Sequence, residues 1–335
     1  MTRREAFRHV LSHREVRPVP YCIKFTDEAL SNLTHALGRP IDPVEETGNY
    51  VVAAHTNHGW EEVKPGYFRD FFGVVWNRTT DRTLGVVARY PLTGPSLAGF
   101  TFPDPRDLPV YRTALHNRTR YPDHFQMISI GFALFERAWT LTGMEDLMIY
   151  MVGESEFVRE LMDRIADFNS GVIRLAAQAG VDAVHFGDDW ASQNGPLMSP
   201  EMWNTFIKPG FRRMCDTAHE NGLLVSHHCC GNAELLLPAM VECKVDVFDP
   251  FQPEVMDIWR IREEYRCRLA FLGGLSIQKT LPFGTPDEVA TQSARLLKDM
   301  AEGGGYVFAP SHALTADVPV ANMVRLIEIA RHQSC

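Results

Sequence analysis

The fold is decided by a stretch in the second half of the chain that reads Asn221-Gly222-Leu223-Leu224-Val225-Ser226-His227-His228-Cys229-Cys230-Gly231. The Asn221-Gly222 pair is typical of a helix end. The short, largely apolar run that follows, Leu223–Ser226, suits a parallel strand buried on both faces. Residues with soft ligand atoms come directly after it. The stretch therefore indicates a strand that follows a helix and carries chemistry at its carboxyl end.

The same order of short apolar run, polar loop and amphipathic helix recurs along the chain from about residue 120. The further runs are Phe125–Ile130, Ala183–Phe186, Val245–Phe248, Leu269–Leu272 and Tyr306–Ala309. Alternating strands and helices predict right-handed crossovers and a parallel sheet. We predict one domain over residues 1–335 with the α/β fold of a (β/α)₈ TIM barrel. A doubly wound open sheet is the alternative, but no Gly-x-Gly-x-x-Gly follows a strand to support a dinucleotide site.

The first 120 residues are less regular than the rest of the chain. Pro18–Ile23 is a plausible first strand, which brings the candidate barrel strands to about seven where eight are needed. Asp70–Val75 and Leu84–Ala88, joined by Asn77–Arg82, predict an antiparallel hairpin. We therefore expect an irregular N-terminal region with an inserted hairpin before the barrel resumes.

Composition narrows the class of protein. The 335 residues are 45% hydrophobic and 22% charged, with a formal net charge of -9, and no basic stripe indicates nucleic-acid binding. No apolar stretch approaches the roughly 18 residues of a membrane span. Seven cysteines, an odd number, with no secretion signal, predict reduced thiols and a cytoplasmic protein. The N-terminus predicts a short amphipathic helix capped by Thr2, with three apolar side chains on one side: Phe7, Val10 and Leu11.

Catalytic groups of a barrel come from the carboxyl ends of its strands, and here several polar side chains stand there. They are Asp188 and Asp189, the His227–Cys230 tetrad, Asp249 and Gln252, and His312, with Glu136 shortly after another strand. An Asp after a strand is often a helix cap or a turn former, and we interpret Asp249, which precedes Pro250, as a turn residue. Two histidines followed by two cysteines favour metal binding, because neither residue type is preferred in turns.

Strand alternation separates the four members of the tetrad. His228 and Cys230 are two residues apart and point to one side of an extended backbone, whereas Cys229 points away. One imidazole and one thiolate suit Zn²⁺. A third ligand must come from elsewhere in the ring of strand ends, with His312 the leading candidate and Asp188, Cys229 and Glu136 the alternatives. Such a site would be catalytic in type and would keep an open position.

Motifs spread over most of the chain resemble the uroporphyrinogen decarboxylase superfamily. The resemblance is strong from residue 125 onward, weak between 40 and 110, and implies a (β/α)₈ barrel with its cleft at the carboxyl ends of the strands. The residues that carry it are Gly187-Asp188-Asp189, Ser199-Pro200-Glu201-Met202, Phe206-Ile207-Lys208-Pro209, His228-Cys229-Cys230-Gly231-Asn232, Gly273-Gly274-Leu275-Ser276-Ile277-Gln278, Leu281-Pro282-Phe283-Gly284-Thr285 and Gly303-Gly304-Gly305-Tyr306.

Two branches of this superfamily differ in residues that the sequence shows. True uroporphyrinogen decarboxylases carry an arginine-rich segment after the first strand, but the matching Tyr21–Glu28 has one lysine, two acids and no arginine. The corrinoid-dependent methyltransferases carry His-x-Cys-Gly and bind zinc, and this chain has that motif at His228–Gly231. Members that methylate coenzyme M have a cysteine ligand in the last strand-end loop, where this chain has His312.

The resemblance implies a zinc-dependent methyltransferase whose corrinoid (cobalamin) is carried by a separate partner protein. A small methyl ether, amine or thiol would be the other substrate. Asp188 would be the catalytic proton donor or a partner of His228, Gln252, Asp189 and Glu136 would contact the substrate, and His228, Cys230 and His312 would bind the metal. The alternatives are a cofactor-free decarboxylase of a substrate smaller than a porphyrinogen, and a non-catalytic metal-binding barrel.

Overall fold

The architecture is an α/β fold built on a curled parallel sheet, seen in a computed structural model that describes residues 1–80 and 85–333. Within these residues seven strands form one sheet in the order β1-β6-β7-β10-β11-β12-β13. Their bounds are β1 Val51–His55, β6 Phe125–Gly131, β7 Ala183–Gly187, β10 Leu224–His228, β11 Val247–Phe251, β12 Ala270–Leu275 and β13 Tyr306–Pro310. The remaining strands are β2 Glu61–Lys64, β3 Tyr67–Arg69, β4 Val75–Asn77, β5 Val86–Arg89, β8 Ala191–Ser192 and β9 Gly195–Pro196.

All neighbouring strands of the main sheet run parallel, so their carboxyl ends lie at one edge. Alternate side chains of each strand face two different cores, as the two-residue period of a strand requires. Ile128, Val184 and Phe248 pack against the surrounding helices. Phe125 and Met127 face the opposite side of the sheet, where they pack against the N-terminal helix. Both faces of the sheet are therefore buried.

Fourteen α-helices accompany the strands in the described residues, and most of them cover the outer face of the sheet. They are α1 Arg3–Leu11, α2 Asp27–Leu37, α3 Pro43–Thr47, α4 Val110–Arg120, α5 Phe135–Thr142, α6 Met144–Gly153, α7 Ser155–Gln178, α8 Pro200–Met202, α9 Lys208–Glu220, α10 Leu237–Glu242, α11 Ile258–Glu264, α12 Thr280–Phe283, α13 Pro286–Arg295 and α14 Val320–Arg331. Single 3₁₀ turns lie at Pro105–Asp107 and Glu234–Leu236, and π-helical turns at Trp203–Ile207 and Leu296–Met300. Among the described residues, no helix combines the length and apolarity needed to cross a bilayer.

Helix α1 fills the inner face of the sheet at its amino end. Its capping box joins Thr2 and Glu5, as the predicted cap at Thr2 requires. The predicted apolar side, Phe7, Val10 and Leu11, is buried among strand residues. Arg4 and Arg8 both bind the carboxylate of Asp182, whose side chain is fully buried, which fixes the helix against the start of β7.

The first strand differs from the prediction. Pro18–Ile23 is not a strand: Tyr21 forms an isolated bridge to Phe308 of β13, and the N–H of Tyr50 donates to the Tyr21 carbonyl at 3.3 Å. Val51–His55 supplies β1 in its place. The full eight-stranded barrel is thus not shown, because the segment beside β13 makes single bridges instead of a continuous ladder of backbone hydrogen bonds.

The inserted hairpin is part of a larger antiparallel sheet of order β2-β3-β4-β5. Strands β4 and β5 form the predicted pair with shifted bounds, while Leu84 and part of the predicted turn at Asn77–Arg82 lie outside the described residues. The small sheet is joined to the main α/β unit by a buried ion pair in which Arg137 Nη1 of α5 lies 2.7 Å from Asp70 Oδ2.

Candidate metal centre

The carboxyl edge of the main sheet brings the predicted site residues together. Strand β10 lies between β7 and β11, with His228 in register with Gly187 on one side and Asp249 on the other. The residues that follow β7 and β10, such as Asp189 and Cys230, are therefore neighbours although they are 41 positions apart in the chain. The loop after β13 adds His312 to the same edge.

His228, Cys230 and His312 form a compact group of potential ligands. His228 Nε2 lies 3.2 Å from Cys230 Sγ. The rings of His228 and His312 are 5.6 Å apart, and one ligand atom from each of the three residues lies within 4.8 Å of the others. His228 and Cys230 are partly buried and His312 is exposed, so the group opens to solvent on the His312 side.

The other two members of the tetrad point away from this group, as strand alternation predicts. The Cys229 sulfur is buried and accepts a hydrogen bond from the backbone N–H of Trp190 at 3.2 Å. His227 is fully buried and stacks on the Trp190 ring with centroids 4.1 Å apart. Both side chains therefore belong to the packing between the sheet and the outer helices.

Asp249 contacts the metal-ligand group from inside the sheet, a role that its interpretation as a turn residue missed. Its Oδ2 atom lies 3.4 Å from His228 Nδ1, 3.0 Å from Lys24 Nζ and 3.8 Å from His185 Nε2. The sequence holds one signal for this role, since Asp249 follows a strand run directly and stands at the same edge as His228. Lys24 and His185 gave no comparable signal.

The charges around Asp249 shift its pKa and that of His228 in opposite directions. Burial alone would raise the pKa of Asp249, but the Lys24 ammonium and His228 hold it well below its usual range. Burial likewise opposes protonation of His228, yet Cys230 and Asp249 raise its pKa well above the ordinary value. The Asp249 carboxylate is therefore ionised at neutral pH.

Asp188 faces the start of α5 instead of His228. Its carboxylate oxygens accept hydrogen bonds from the backbone N–H groups of Phe135 at 3.0 Å and Glu136 at 2.7 Å, and from Trp190 Nε1 at 2.6 Å. Burial raises the pKa of Asp188 to about 6, although these donors favour the ionised form. The contact with His228 that was expected of Asp188 belongs to Asp249; the catalytic assignment of Asp188 stays a prediction.

Two of the three predicted substrate contacts, Asp189 and Gln252, flank the Cys230 loop from the β7 and β11 sides, while Glu136 lies at the start of α5 near Asp189 and Asp188. Asp189 Oδ1 accepts the N–H of Cys230 at 2.7 Å. Gln252 Oε1 accepts the N–H of Gly231 at 3.2 Å, while its Nε2 donates to Gln193 at 2.9 Å. Burial, with the charges of Asp189 and Asp188, raises the pKa of Glu136 well above its usual range. The loop of Cys230 is thus held by two side chains from neighbouring strand ends.

Two overlapping sets of residues could hold a cation. The first is His228, Cys230 and His312, and the second is His185, His228 and Asp249. The first combines imidazole and thiolate, which is the chemistry of zinc, and it leaves room for a further ligand. The second contains the ammonium of Lys24 against its carboxylate, which opposes a second positive charge.

Comparison with known proteins is consistent with this geometry. The model of the Uroporphyrinogen decarboxylase (URO-D) family matches residues 73–333. A methylated-thiol–coenzyme M methyltransferase of Methanosarcina mazei is 27% identical over 209 residues, which are 60% of this chain and 55% of that protein. A uroporphyrinogen decarboxylase of Chlorobium phaeobacteroides is 24% identical over 187 residues, covering 55% and 51%. The chain thus spans about half the length of these curated relatives.

The fold is also that of a solved protein. A methyltransferase from Methanosarcina mazei superposes with a TM-score of 0.78 at 18% identity, covering 99% of this chain and 98% of that one. The match with the family model takes in the strand ends of the main sheet except that of β1, and it leaves out the segment of Lys24. The chain therefore belongs to the uroporphyrinogen decarboxylase (URO-D) family.

Proposed function

We propose that the protein is a zinc-dependent methyltransferase that moves a methyl group between a small methylated compound and the corrinoid of a separate protein. The observation that carries the proposal is the grouping of His228, Cys230 and His312 at the open edge of the sheet. The methyltransferase name of the Methanosarcina mazei relative supports the same reaction class. That name favours a thiol among the three substrate classes, namely ethers, amines and thiols.

The residues present fit a zinc ion. Zn–N and Zn–S bonds of about 2.0–2.3 Å at a tetrahedral angle place nitrogen and sulfur ligands about 3.5 Å apart. His228 Nε2 and Cys230 Sγ are 3.2 Å apart, close to that spacing. When bound, the ion would act as a Lewis acid on the heteroatom of the substrate. His312 completes three protein ligands and leaves one position for that atom.

The chain's own residues would position the substrate and hold a proton. Gln252 and Asp189 fix the backbone on either side of Cys230, and in this proposal they also contact the substrate. Glu136 also contacts the substrate in this proposal, and burial with the neighbouring acids raises the pKa of its carboxyl well above the usual range. Asp188 is the catalytic proton donor in this proposal: burial raises its pKa to about 6, and the first N–H groups of α5, those of Phe135 and Glu136, hold its carboxylate in place.

The decarboxylase alternative is less well supported by the contacts. The one basic side chain of Tyr21–Glu28, Lys24, lies 3.0 Å from Asp249. It is therefore already paired with a carboxylate of the chain, so this segment offers little positive charge to a substrate with many carboxylates. A non-catalytic metal-binding barrel remains the second alternative, and turnover separates it from the proposal.

We further propose that residues 1–335 form one catalytic domain of the (β/α)₈ type. The support is that Tyr21 connects to β13 through a bridge and to Tyr50, just before β1, through a hydrogen bond. In this proposal the segment takes the place of the eighth strand. The corrinoid protein would then reach the site from the open edge that carries His312.

The test combines metal analysis with turnover. Protein purified without a histidine tag is expected to contain about one zinc per chain, the number that one closed ligand set predicts. With free methylcobalamin as the methyl donor and coenzyme M as the thiol, the visible spectrum should report loss of the methyl group. The reverse direction, with reduced cobalamin, uses a panel of methyl thiols, ethers and amines.

Adjacent cysteines supply a matched control. Cys230→Ala should lose zinc and turnover, whereas Cys229→Ala should keep its zinc because the Cys229 sulfur faces Trp190. A wild-type protein without zinc would overturn the metal centre. Zinc without methyl transfer in either direction would favour the non-catalytic alternative.

A further inference from the structure

We propose that Lys24 and Asp249 position His228, so that its Nε2 atom carries the free electron pair that binds the metal. The inference rests on the zinc site of the proposed function but not on the identity of its substrate. It concerns two residues on different segments, Lys24 before α2 and Asp249 within β11. Neither belongs to the His228, Cys230 and His312 group.

The geometry assigns different tasks to the two nitrogens of His228. Nδ1 faces Asp249 Oδ2 at 3.4 Å, and Nε2 faces Cys230 Sγ at 3.2 Å. A neutral imidazole carries one proton, and the nitrogen that donates to a carboxylate keeps it. The proton therefore stays on Nδ1, and the electron pair of Nε2 points at the metal position. A carboxylate in this place also makes the imidazole a stronger ligand.

Lys24 keeps the Asp249 carboxylate charged and in place. The Asp249 side chain is 4% exposed, and an unpaired charge so deeply buried would be costly. The Lys24 ammonium at 3.0 Å supplies the opposite charge from the side of the sheet interior. His185, whose Nδ1 lies 2.9 Å from Ser226 Oγ, directs its other nitrogen toward the same carboxylate.

The contact between Lys24 and Asp249 also argues against Asp249 as a metal ligand. His185, His228 and Asp249 could in principle hold a cation of their own. An ion there would share Asp249 Oδ2 with the Lys24 ammonium, which already lies at hydrogen-bond distance. Two positive charges at one carboxylate oxygen repel each other strongly in a buried site. Lys24, whose side chain is 39% exposed, thus serves as the fixed cation beside Asp249 in a centre that binds one metal ion.

The experiment measures zinc affinity in the purified full chain by competition with a chromophoric chelator. Asp249→Asn should weaken zinc binding by about 10- to 100-fold, the usual effect of removing the carboxylate partner of a metal-binding histidine. Lys24→Met should also weaken zinc binding. Lys24→Arg, which keeps the positive charge, should bind zinc about as tightly as the wild type. With Co²⁺ in place of zinc, the absorption bands of Asp249→Asn should match those of the wild type, because the metal ligands are unchanged.

Asp182→Asn is the matched control. Asp182 is also a buried, ion-paired carboxylate, but it binds Arg4 and Arg8 at the start of β7. This variant should lose stability in thermal unfolding and keep its zinc affinity. If Asp249→Asn does not fold, the Lys24→Met and Lys24→Arg pair decides the question. Zinc affinity that is lost in Lys24→Met and stays lost in Lys24→Arg contradicts positioning through Asp249.

Two results with zinc-binding wild-type protein would overturn the inference: unchanged zinc affinity in Asp249→Asn, or altered Co²⁺ bands that make Asp249 a ligand. A wild type that binds no zinc would instead overturn the proposed function. The imidazole ¹⁵N–¹H spectrum of the metal-free chain, recorded at a pH high enough for His228 to be neutral, then decides the inference separately. A proton on His228 Nδ1 that is displaced in Asp249→Asn supports it, and a proton on Nε2 in the wild type contradicts it.

Discussion

Adjacent residues of the His227–Cys230 tetrad have opposite surroundings. Cys230 lies beside His228 at the open edge, whereas Cys229 is buried against Trp190. The same alternation sends His227 into the outer packing. Even-numbered and odd-numbered positions of β10 and of the short extended segment after it face opposite sides. The surroundings of each side chain therefore depend on its position in this alternation more than on its residue type.

His312 is the residue whose role is most open to test. If His312 is the third ligand, the His312→Ala variant should have a lower zinc affinity and a lower turnover, because two protein ligands hold the ion weakly. His312→Cys should restore tight binding, since thiolate also suits zinc. Chelator competition measures both variants. Zinc affinity equal to wild type in both would place His312 outside the ligand set.

The buried His124, which lies away from the candidate metal centre, is predicted to make the stability of the fold depend on pH. Burial, reinforced by Arg3, lowers the pKa of His124 in the folded chain. The unfolded chain binds this proton near pH 6.5. The neutral side chain therefore contributes stability that is present above about pH 6.5 and is lost as the pH falls below that value.

His124→Gln should consequently lose less unfolding free energy than the wild type between about pH 7.5 and 5. Urea unfolding at both pH values measures the difference. The exposed His116 provides the control variant His116→Gln, which should follow the wild type. Parallel pH dependence of His124→Gln and wild type would contradict the assignment.

At the scale of elements, α1 acts as part of the core although it precedes every strand. Its apolar side is buried among residues of β1, β6, β7, β11, β12 and β13. The Arg4 and Arg8 contacts to Asp182 hold its polar side. A terminal helix is often a peripheral element, but this one closes the amino end of the sheet interior and therefore supports the strands that carry the site.

Phe7→Ala tests this packing. Phe7 is 2% exposed and its ring centroid lies 4.7 Å from that of Phe125. Removing a fully buried phenylalanine side chain costs about 3–5 kcal/mol of unfolding free energy, which urea unfolding followed by circular dichroism would report. Leu115→Ala, at a position 52% exposed, should change stability by less than about 0.5 kcal/mol. Equal effects of the two changes would show that α1 does not pack as described.

At the scale of the molecule, the site is assembled from segments spread over most of the chain. Five separate segments of the chain supply Lys24, Glu136, His228, Asp249 and His312. The antiparallel sheet β2–β5 joins the main α/β unit through the buried Asp70–Arg137 pair. Because Arg137 is next to Glu136 on α5, the inserted sheet and the site share one helix.

This arrangement predicts that uroporphyrinogen III is not decarboxylated. Its many carboxylates need positive charge, and the one basic residue of Tyr21–Glu28 is already paired with Asp249. Product analysis with a true uroporphyrinogen decarboxylase as positive control measures this. Turnover on the order of 10 s⁻¹, a typical enzyme rate, would reverse the choice of branch within the family.

Local pattern determined much of this protein. The six strands from β6 onward in the main sheet, the capped α1 and the shared direction of His228 and Cys230 follow from periods of 3.6 and 2, which depend only on neighbours in sequence. The Asn221-Gly222 helix end and the run after it likewise predict β10 closely. These features needed no knowledge of distant residues.

Tertiary structure alone decided the rest. The contact between Lys24 and Asp249 joins residues 225 positions apart, and sheet register places Asp249 beside His228. The replacement of Pro18–Ile23 by Val51–His55 as the edge strand depends on which segment pairs continuously with β6. Such outcomes are set by long-range strand pairing and packing. An apolar run in the sequence does not specify which distant strand it will pair with. The residues of the candidate metal centre were therefore visible in the sequence, while the partners that contact them were not.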